Sequence, residues 1–379
     1  MQWALPEPSP LDLISYSFCA AYRHCPLSVS FGRDPRFASL NRATTATTLG
    51  NVVHEVGKRI GRHQYAGVRS QQPRDIVKEI WDQETAKQVN ALARDWAPAQ
   101  PPTPPNWPNY AINRTRTVRE WVPHVNTALV RGGVSREQWH AGEGKDSGSY
   151  QDPGPLPWSE RGLHDPELNI CGTPDHVVRR NTGIWVLDKK TGTQQSEPAD
   201  EQVWQLLLYA HLVQVQTGEL PAWAAIVIPG GAAYPIPVTQ EAVDLVVTQA
   251  VATAAEYEAS RARGITADMG TPSESACGFC SFREVCPAFA EARDEGWRVP
   301  NTLTGEVTRV EGSAPWLHVE VAVSSPSWRR GHRTRVIDVA WPGIPTRGCM
   351  VGLSGFRSRM DWTIVRGEWN SLSYIFPDQ

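Results

Sequence analysis

Two aspartates and a lysine near the middle of the chain have the types and spacing of a metal-dependent site for phosphodiester cleavage. Asp175 ends the segment Gly172-Thr173-Pro174-Asp175, and Asp188-Lys189-Lys190 closes the next β-rich segment. Carboxylate oxygens are preferred ligands of Mg²⁺ and Mn²⁺, and such an ion activates water and neutralises charge at a phosphate. A lysine beside them can orient the water or stabilise transition-state charge. Alone the pattern is weak, because acids and lysines at strand ends are usually solvated.

A set of cysteines could hold a second metal group. Cys277, Cys280 and Cys286 follow the spacing C-x2-C-x5-C, and Cys25 lies far upstream beside a proline. Four thiolates suit either structural zinc or an iron–sulfur cluster, and the spacing leaves both open. Cys19 is the alternative fourth ligand. With either cysteine as the fourth ligand, the bound metal group would connect the start of the chain to its last third, and the two aspartates would lie between these ends.

A β-hairpin is needed to bring the two aspartates together. Residues 170–178 and 183–190 have the character of strands, and Arg180-Asn181-Thr182-Gly183 between them is a hairpin signal. The strand ends would then aim both carboxylates at one point. Residues two apart on a strand face the same side, so Asp188 and Lys190 would share a face, and the intervening lysine would point to solvent.

Helices and one more strand are predicted around the hairpin. Spacing and composition place helices at residues 44–62, 74–95, 113–132, 201–216 and 238–263, and a buried strand at 224–228. The helix at 44–62 has an apolar stripe formed by Leu49, Val52, Val53, Val56 and Ile60. His54 lies off that stripe. We expect a short helix and turn at 11–31, a proline-rich excursion at 97–108 and a loop at 141–157.

Five short motifs occur in a fixed order along this predicted framework. They are Gly50…His54, Glu160, Gly172…Asp175, Asp188-x-Lys190 and Gln205…Tyr209. Each is weak alone, but the ordered series resembles the RecB-like branch of the PD-(D/E)XK nuclease superfamily. The resemblance covers about residues 11–290.

The resemblance implies a role for each motif residue. His54, Asp175, Asp188 and the backbone carbonyl of Lys189 would be ligands of Mg²⁺ or Mn²⁺, and Lys190 would be the catalytic lysine. Glu160 would help to position the metal or the base-side network. Gln205 and Tyr209 would shape the site and contact the DNA backbone, although the same pair could simply pack a helix on the sheet.

The cysteines are similar to those of the iron–sulfur members of this branch, which include CRISPR-associated adaptation nucleases and AddB-type nuclease domains. The resemblance implies a 4Fe-4S cluster on Cys25, Cys277, Cys280 and Cys286. It also implies an α/β fold with a restriction-endonuclease-like core, in which helices flank a mixed central sheet. We expect this domain at residues 1–295, and a small all-β domain, a sandwich or an OB-like barrel, at residues 301–379.

A basic cluster in the second domain is a further candidate site. It consists of Trp328, Arg329, Arg330, Arg333 and Arg335. Tryptophan and arginine side chains can hold single-stranded DNA through stacking and phosphate contacts. A solvated loop explains the same residues equally well.

Composition limits the remaining possibilities. The net charge of −3 argues against a uniformly basic DNA-binding protein, but it leaves room for a local positive groove. No apolar run is long enough for a membrane span, and the first residues lack a signal peptide, so we expect a cytoplasmic protein with reduced thiols. No Walker A motif occurs, so any helicase action must come from a partner such as a repair or CRISPR subunit.

The sequence therefore predicts a metal-dependent DNA nuclease, acting as an exonuclease on single strands or DNA ends. Two alternatives stay open. One is a DNA-binding or adaptor subunit that keeps the fold but does not cut, which the intact Asp175, Asp188 and Lys190 argue against. The other is a structural protein held together by zinc.

Overall fold

A computed structural model describes most of the chain. The described residues are 5–62, 64–65, 67–96, 100–130, 156–189, 198–227, 233–294, 296–313, 316–326, 329–358, 363–368 and 371–376. Two predicted site residues, Lys190 and Trp328, lie outside them, as does most of the predicted loop at 141–157.

The helices follow the sequence prediction closely. They are α1 (Tyr16–His24), α2 (Pro26–Gly32), α3 (Thr45–Gly61), α4 (Pro73–Asp95), α5 (Tyr110–Val130), α6 (Asp200–Thr217), α7 (Gln240–Arg263), α8 (Glu274–Gly278) and α9 (Pro287–Ala292). Local signals set their ends. Thr44 caps α3 in a capping box with Thr47, and Gly218 ends α6 in the left-handed conformation at φ 72°. The five long predicted helices are confirmed.

The strands form three sheets within the described residues. They are β1 (Ile14–Ser15), β2 (Trp158–Ser159), β3 (Leu163–Asp165), β4 (Ile170–Gly172), β5 (His176–Arg180), β6 (Gly183–Lys189), β7 (Trp223–Val227), β8 (Ala233–Pro237), β9 (Thr302–Ser313), β10 (Trp316–Ser325), β11 (Arg333–Ala340), β12 (Met350–Ser354), β13 (Arg357–Ser358), β14 (Ile364–Arg366) and β15 (Leu372–Ile375). The central sheet has the order β2-β5-β6-β7-β8. It is mixed, because β6 and β7 are parallel and the other neighbours are antiparallel.

The predicted strand at 170–178 is instead two strands in two different sheets. Its first part is β4, which pairs with β1 and β3, and its second part is β5 in the central sheet. Pro174 lies between them and has no N–H group to donate to a strand partner. Asp175 therefore occupies the connection between two sheets, rather than the interior of one strand.

Two hydrophobic clusters join the helices to the sheets. One packs β5 and β6 against α6 and α7, with Val186, Leu208 and Val246 buried in it. The other lies among α2 to α5 and includes Trp81 and Trp121. Burial of this kind is the main favourable contribution to folding. It holds the hairpin between a helical layer on each side, as the α/β prediction requires.

The C-terminal strands form a sheet of their own, in the order β13-β14-β11-β10-β9-β12-β15. Its last strand also contributes to the helical core, because Leu372, Tyr374 and Phe376 belong to the cluster that contains Phe31 and Phe37. The rings of Phe37 and Tyr374 stack with their centroids 5.4 Å apart. The β-rich character predicted for this segment is confirmed. The domain boundary near residue 300 and the OB-like form stay predictions.

Within the part of the chain that the structure describes, every helix is too short or too polar to cross a lipid bilayer.

Candidate active site

The register of three neighbouring strands, continued by one residue beyond the paired positions, places three carboxylates level with one another at the strand ends. Ser159 of β2 pairs with His176 of β5, and the same His176 pairs with Leu187 of β6. One residue further along each strand, Glu160 comes level with Asp175, and Asp175 with Asp188. The backbone N–H of Glu160 donates a 2.9 Å hydrogen bond to the carbonyl of Asp175. The row joins residues that are distant in sequence at one edge of the central sheet.

His54 of α3 completes this group. Its Nδ1 atom lies 2.9 Å from Oε1 of Glu160 and 3.5 Å from Oδ1 of Asp175. One ligand atom from each of His54, Glu160 and Asp175 falls within 4.8 Å of the others. An imidazole nitrogen with carboxylate oxygens fits a divalent cation such as Mn²⁺ or Mg²⁺. Asp188 is buried beside this group and is the second largest cause of the raised pKa of Asp175.

The site concentrates negative charge in a buried place. Burial, followed by the charges of Asp188 and Glu160, raises the pKa of Asp175 to about 7. The hydrogen bond to Glu160 raises the pKa of His54 to about 9, although 46% of the His54 side-chain surface is exposed. Without a metal ion, a proton on Asp175 and the charged imidazole of His54 thus offset the negative charge of the carboxylates. A divalent cation would supply the same compensation.

The backbone around the row is shaped to hold it. The N–H of Lys189 donates to Oδ2 of Asp175 at 2.5 Å, which fixes that carboxylate at the end of β6. Glu160 has a φ of 50°, in the left-handed region that residues other than glycine rarely adopt. Arg62, just after α3, donates to the Glu160 carbonyl at 2.6 Å. Such backbone conformations persist where the surroundings determine them, often at functional sites.

The sequence predicted that the Lys189 side chain points into solvent, but in the structure it packs against α5. Its ammonium nitrogen lies 4.3 Å from the ring centroid of Trp121 and forms an ion pair with Glu120. Only 24% of its side chain is exposed. Strand alternation correctly predicts that it faces away from Asp188, but α5 covers that face of the sheet. The predicted metal-binding role of the Lys189 carbonyl stays a prediction.

Gln205 and Tyr209 lie on one face of α6, as their spacing predicts. Nε2 of Gln205 donates to the Tyr209 hydroxyl at 2.9 Å. Burial, partly offset by this hydrogen bond, raises the pKa of Tyr209 so that it stays neutral. The Tyr209 ring packs against Gly172, where a Cβ atom would lie 2.7 Å from Cε1 of Tyr209 and 3.0 Å from Cδ1 of Leu212. The motif glycine is required because the helix approaches the backbone so closely.

Gly172→Ala should therefore destabilise the protein by about 1–3 kcal/mol, the usual cost of overpacking a filled core. It should also lower activity, because Tyr209 must move. The measurement is urea unfolding together with a nuclease assay. Gly50→Ala is the matched control, since a Cβ atom there would have open space for 4 Å around it and alanine favours the helix. Equal stability of the two variants would contradict the close packing of α6.

The stability that Asp175 and His54 contribute to the metal-free protein should fall as the pH rises from about 4 to about 9. The Asp175 pKa rises from 3.8 to about 7 on folding, so its contribution is complete below 3.8 and lost as the pH passes 7. His54 acts in the same direction between 6.5 and about 9. Metal binding requires ionised Asp175 and neutral His54, so stabilisation by Mn²⁺ should grow with pH.

Thermal unfolding in chelator and in Mn²⁺, at pH 5 to 9, measures both trends. Asp175→Asn provides the control, because it removes one of the two titrating groups. A difference in melting temperature between the wild type and Asp175→Asn that stays constant with pH in chelator would refute the charge distribution described for this site.

The four predicted cluster ligands lie around one cavity. Cys25, Cys277, Cys280 and Cys286 all line a cavity of about 310 Å³. Cys19 does not line it, because its thiol is buried in the sheet core and faces the Ala250 carbonyl at 4.0 Å. The cavity therefore favours Cys25 over Cys19 as the fourth ligand. Backbone N–H groups point at two of the sulfurs, from Phe282 to Cys280 and from Phe289 to Cys286, each at 3.4 Å.

The predicted nucleic-acid residues lie before and within β11, and Trp328 is outside the described residues. The described ones are Arg329, Arg330, Arg333 and Arg335. Arg333 is 71% exposed and lies 3.7 Å from Glu320. Other arginines of this sheet also have acidic partners. These acids offset much of the positive charge, so DNA binding by this sheet stays a prediction.

Arg62 is a site residue that the sequence analysis missed. It lies eight residues after His54, two helical turns along the same face, and this spacing was the available signal. The pairing of Ser159 with His176, at 2.8 Å between Oγ and Nδ1, was not predictable because β2 is only two residues long.

Comparison with known proteins identifies a nuclease family. The family model described as PD-(D/E)XK nuclease superfamily matches residues 13–287, a span that includes every motif residue and all four cavity cysteines. No curated protein matches the sequence. A crystal structure described as an exonuclease candidate from Eubacterium rectale resembles the chain with a TM-score of 0.34 and 11% identity. That match covers 75% of this chain and 89% of the other, and no conclusion rests on it.

Proposed function

This chain belongs to the PD-(D/E)XK nuclease superfamily, and from that membership we propose a metal-dependent deoxyribonuclease that acts as an exonuclease on single strands or DNA ends. The observation that carries the proposal is the carboxylate row of Glu160, Asp175 and Asp188 with His54 beside it. Burying several acids together serves no structural purpose, since burial and their mutual repulsion raise the pKa of Asp175 to about 7.

The residues of the row would hold the cation and the substrate phosphate in place. His54, Asp175, Asp188 and the Lys189 carbonyl are the proposed ligands, with Glu160 holding the imidazole of His54 in position. A bound Mg²⁺ or Mn²⁺ would supply Lewis-acid chemistry at the phosphate and a more acidic water. The Gln205–Tyr209 pair, fixed by its mutual hydrogen bond, would border the path of the DNA backbone.

Lys190 is proposed as the residue that orients the attacking water or stabilises the charged transition state. The ordered motifs around Asp188-x-Lys190 support this role. Lys190→Ala should abolish cleavage while the melting temperature is unchanged. Lys78→Ala, on α4 and paired with Asp75, is the matched control and should keep wild-type activity.

The assay uses end-labelled single- and double-stranded DNA with Mg²⁺, Mn²⁺ or chelator, and a circular single strand as a second substrate. An exonuclease degrades the linear strand and leaves the circle intact. Wild-type activity in the Lys190→Ala variant would refute the site assignment, and cleavage of the circle would refute exonuclease action.

We also propose that Cys25, Cys277, Cys280 and Cys286 bind a 4Fe-4S cluster, which would place the chain in the iron–sulfur RecB-like branch. Two observations support this. All four cysteines line one cavity, and its volume of about 310 Å³ is large beside the about 30 Å³ of one water molecule. A cavity of that size has room for a group much larger than one zinc ion. The cluster would connect α1 and α2 to α8 and α9.

A further inference from the structure

Tyr16 lies between two motif segments of the site, although no motif includes it. Strand β1 is parallel to β4, with Ile14 opposite Ile170 and Ser15 opposite Cys171. Tyr16 directly follows the last paired residue of β1, and Gly172 directly follows the last paired residue of β4. The first residue of α1 therefore lies near the end of β4, three residues before Asp175.

The other side of Tyr16 contacts α6. Its ring centroid lies 5.7 Å from that of Trp204, and the two planes are tilted by 41°. Trp204 directly precedes Gln205, and its indole N–H donates to Oε1 of Gln249 at 2.8 Å. The guanidinium carbon of Arg23 lies 4.4 Å from the Trp204 ring centroid. Trp204 is buried and held by these contacts, whereas Tyr16 is only partly buried.

The charged groups around Tyr16 favour contact with an uncharged part of a ligand. Burial raises the pKa of its phenol, Glu201 and Asp188 raise it further, and Arg23 opposes them. The ring therefore stays neutral beside acidic groups. A phosphate placed directly on it would be repelled by those acids, but the flat face of a nucleobase would not. The nearby Arg23 is exposed, and its charge could contact the phosphates of a DNA strand.

We propose that Tyr16 stacks on a nucleobase of the strand whose phosphate is held at the carboxylate row, and that this contact selects unpaired DNA. The inference rests on the proposed nuclease function and specifies its substrate. A base within a duplex is already stacked on its neighbours and must leave them to reach the ring. A base in a single strand reaches it at little cost, and aromatic stacking of this kind tolerates any base.

The test compares Tyr16→Phe, Tyr16→Leu and Tyr16→Ala with the wild type in Mn²⁺. Substrates are a single strand, a duplex and single strands with one abasic site at successive positions near the cleaved bond. We expect kcat/KM on the intact single strand to fall about tenfold in the Tyr16→Ala and Tyr16→Leu variants. In the Tyr16→Phe variant, kcat/KM should stay within about twofold of the wild-type value. The strand that lacks the base which stacks on Tyr16 should be cut at similar rates by all four proteins.

Each outcome decides the question. Unchanged preference for single strands in Tyr16→Ala and Tyr16→Leu overturns the inference while the nuclease function stands. Equal losses on intact and abasic strands show a structural role and also overturn it. A loss in Tyr16→Phe equal to that in Tyr16→Ala assigns the contact to the hydroxyl instead of the ring. A wild-type protein that cuts no substrate contradicts the nuclease proposal itself.

Discussion

Asp175→Asn should lower the cleavage rate by about 10³-fold or more and yet raise the melting temperature of the metal-free protein at pH 8. Charge stabilisation by a bound cation amounts to several kcal/mol, and this carboxylate is central to holding it. Burial raises the pKa of this carboxylate, and the neighbouring charges of Asp188 and Glu160 raise it further. Removing its charge relieves that repulsion, and asparagine keeps an oxygen to accept the Lys189 N–H.

Asp165→Asn is the matched control, because Asp165 is also a buried aspartate but has favourable partners. Burial alone would raise the pKa of Asp165. Hydrogen bonds from His211 and from the N–H groups of Glu167 and Leu168 outweigh burial and lower this pKa. This second variant should lose stability and keep its activity per folded molecule. Calorimetry in chelator and single-turnover cleavage in Mn²⁺ measure both effects. Destabilisation by Asp175→Asn as large as that by Asp165→Asn would contradict the repulsive site.

Cys280→Ala should remove the iron–sulfur chromophore and lower the melting temperature by at least about 10 °C. Binding of a metal group by a folded site adds directly to folding free energy. The Cys280 sulfur already accepts the Phe282 N–H and lies 3.6 Å from the Ser28 hydroxyl. These contacts would stabilise a cluster-bound thiolate. The variant should be colourless and cut DNA only below its lowered melting temperature.

Cys19→Ala serves as the control and also tests the alternative fourth ligand. Cys19 is fully buried but does not line the cavity, so its variant should keep the cluster and lose only about 1 kcal/mol of packing. Anaerobic purification, iron and sulfide analysis and visible absorbance are the measurements. A colourless wild type that contains one zinc ion per chain would refute the cluster, and a colourless Cys19→Ala variant would refute Cys25 as ligand.

The hairpin of the site was predictable because its signal is local. A turn between two β-rich segments determines the register, which pairs His176 with Leu187. Continued by one residue, the same register brings Asp175 level with Asp188. The position of His54 off the α3 stripe was equally readable from helical spacing. The passage of the chain from one sheet to another at Pro174 was not predictable from the sequence, because strands of two or three residues are too short to show a periodic pattern.

Contacts between distant segments were also beyond the sequence. Alternation along β6 indicated which face Lys189 occupies, but nothing local indicated that Trp121 of α5 covers that face. In the same way, the sequence predicts only an all-β segment at residues 301–379. It does not predict that Tyr374 of β15 stacks on Phe37 of the N-terminal segment.

The stacking of Phe37 on Tyr374 affects how the protein is made on the ribosome. At about 5–20 residues per second, synthesis takes roughly 20–70 s to pass from one ring to the other. For that time the nascent chain holds an aromatic cluster that lacks its final partners. Chaperone binding to this segment during translation would limit aggregation, and expression at low temperature should increase the yield of correctly folded protein.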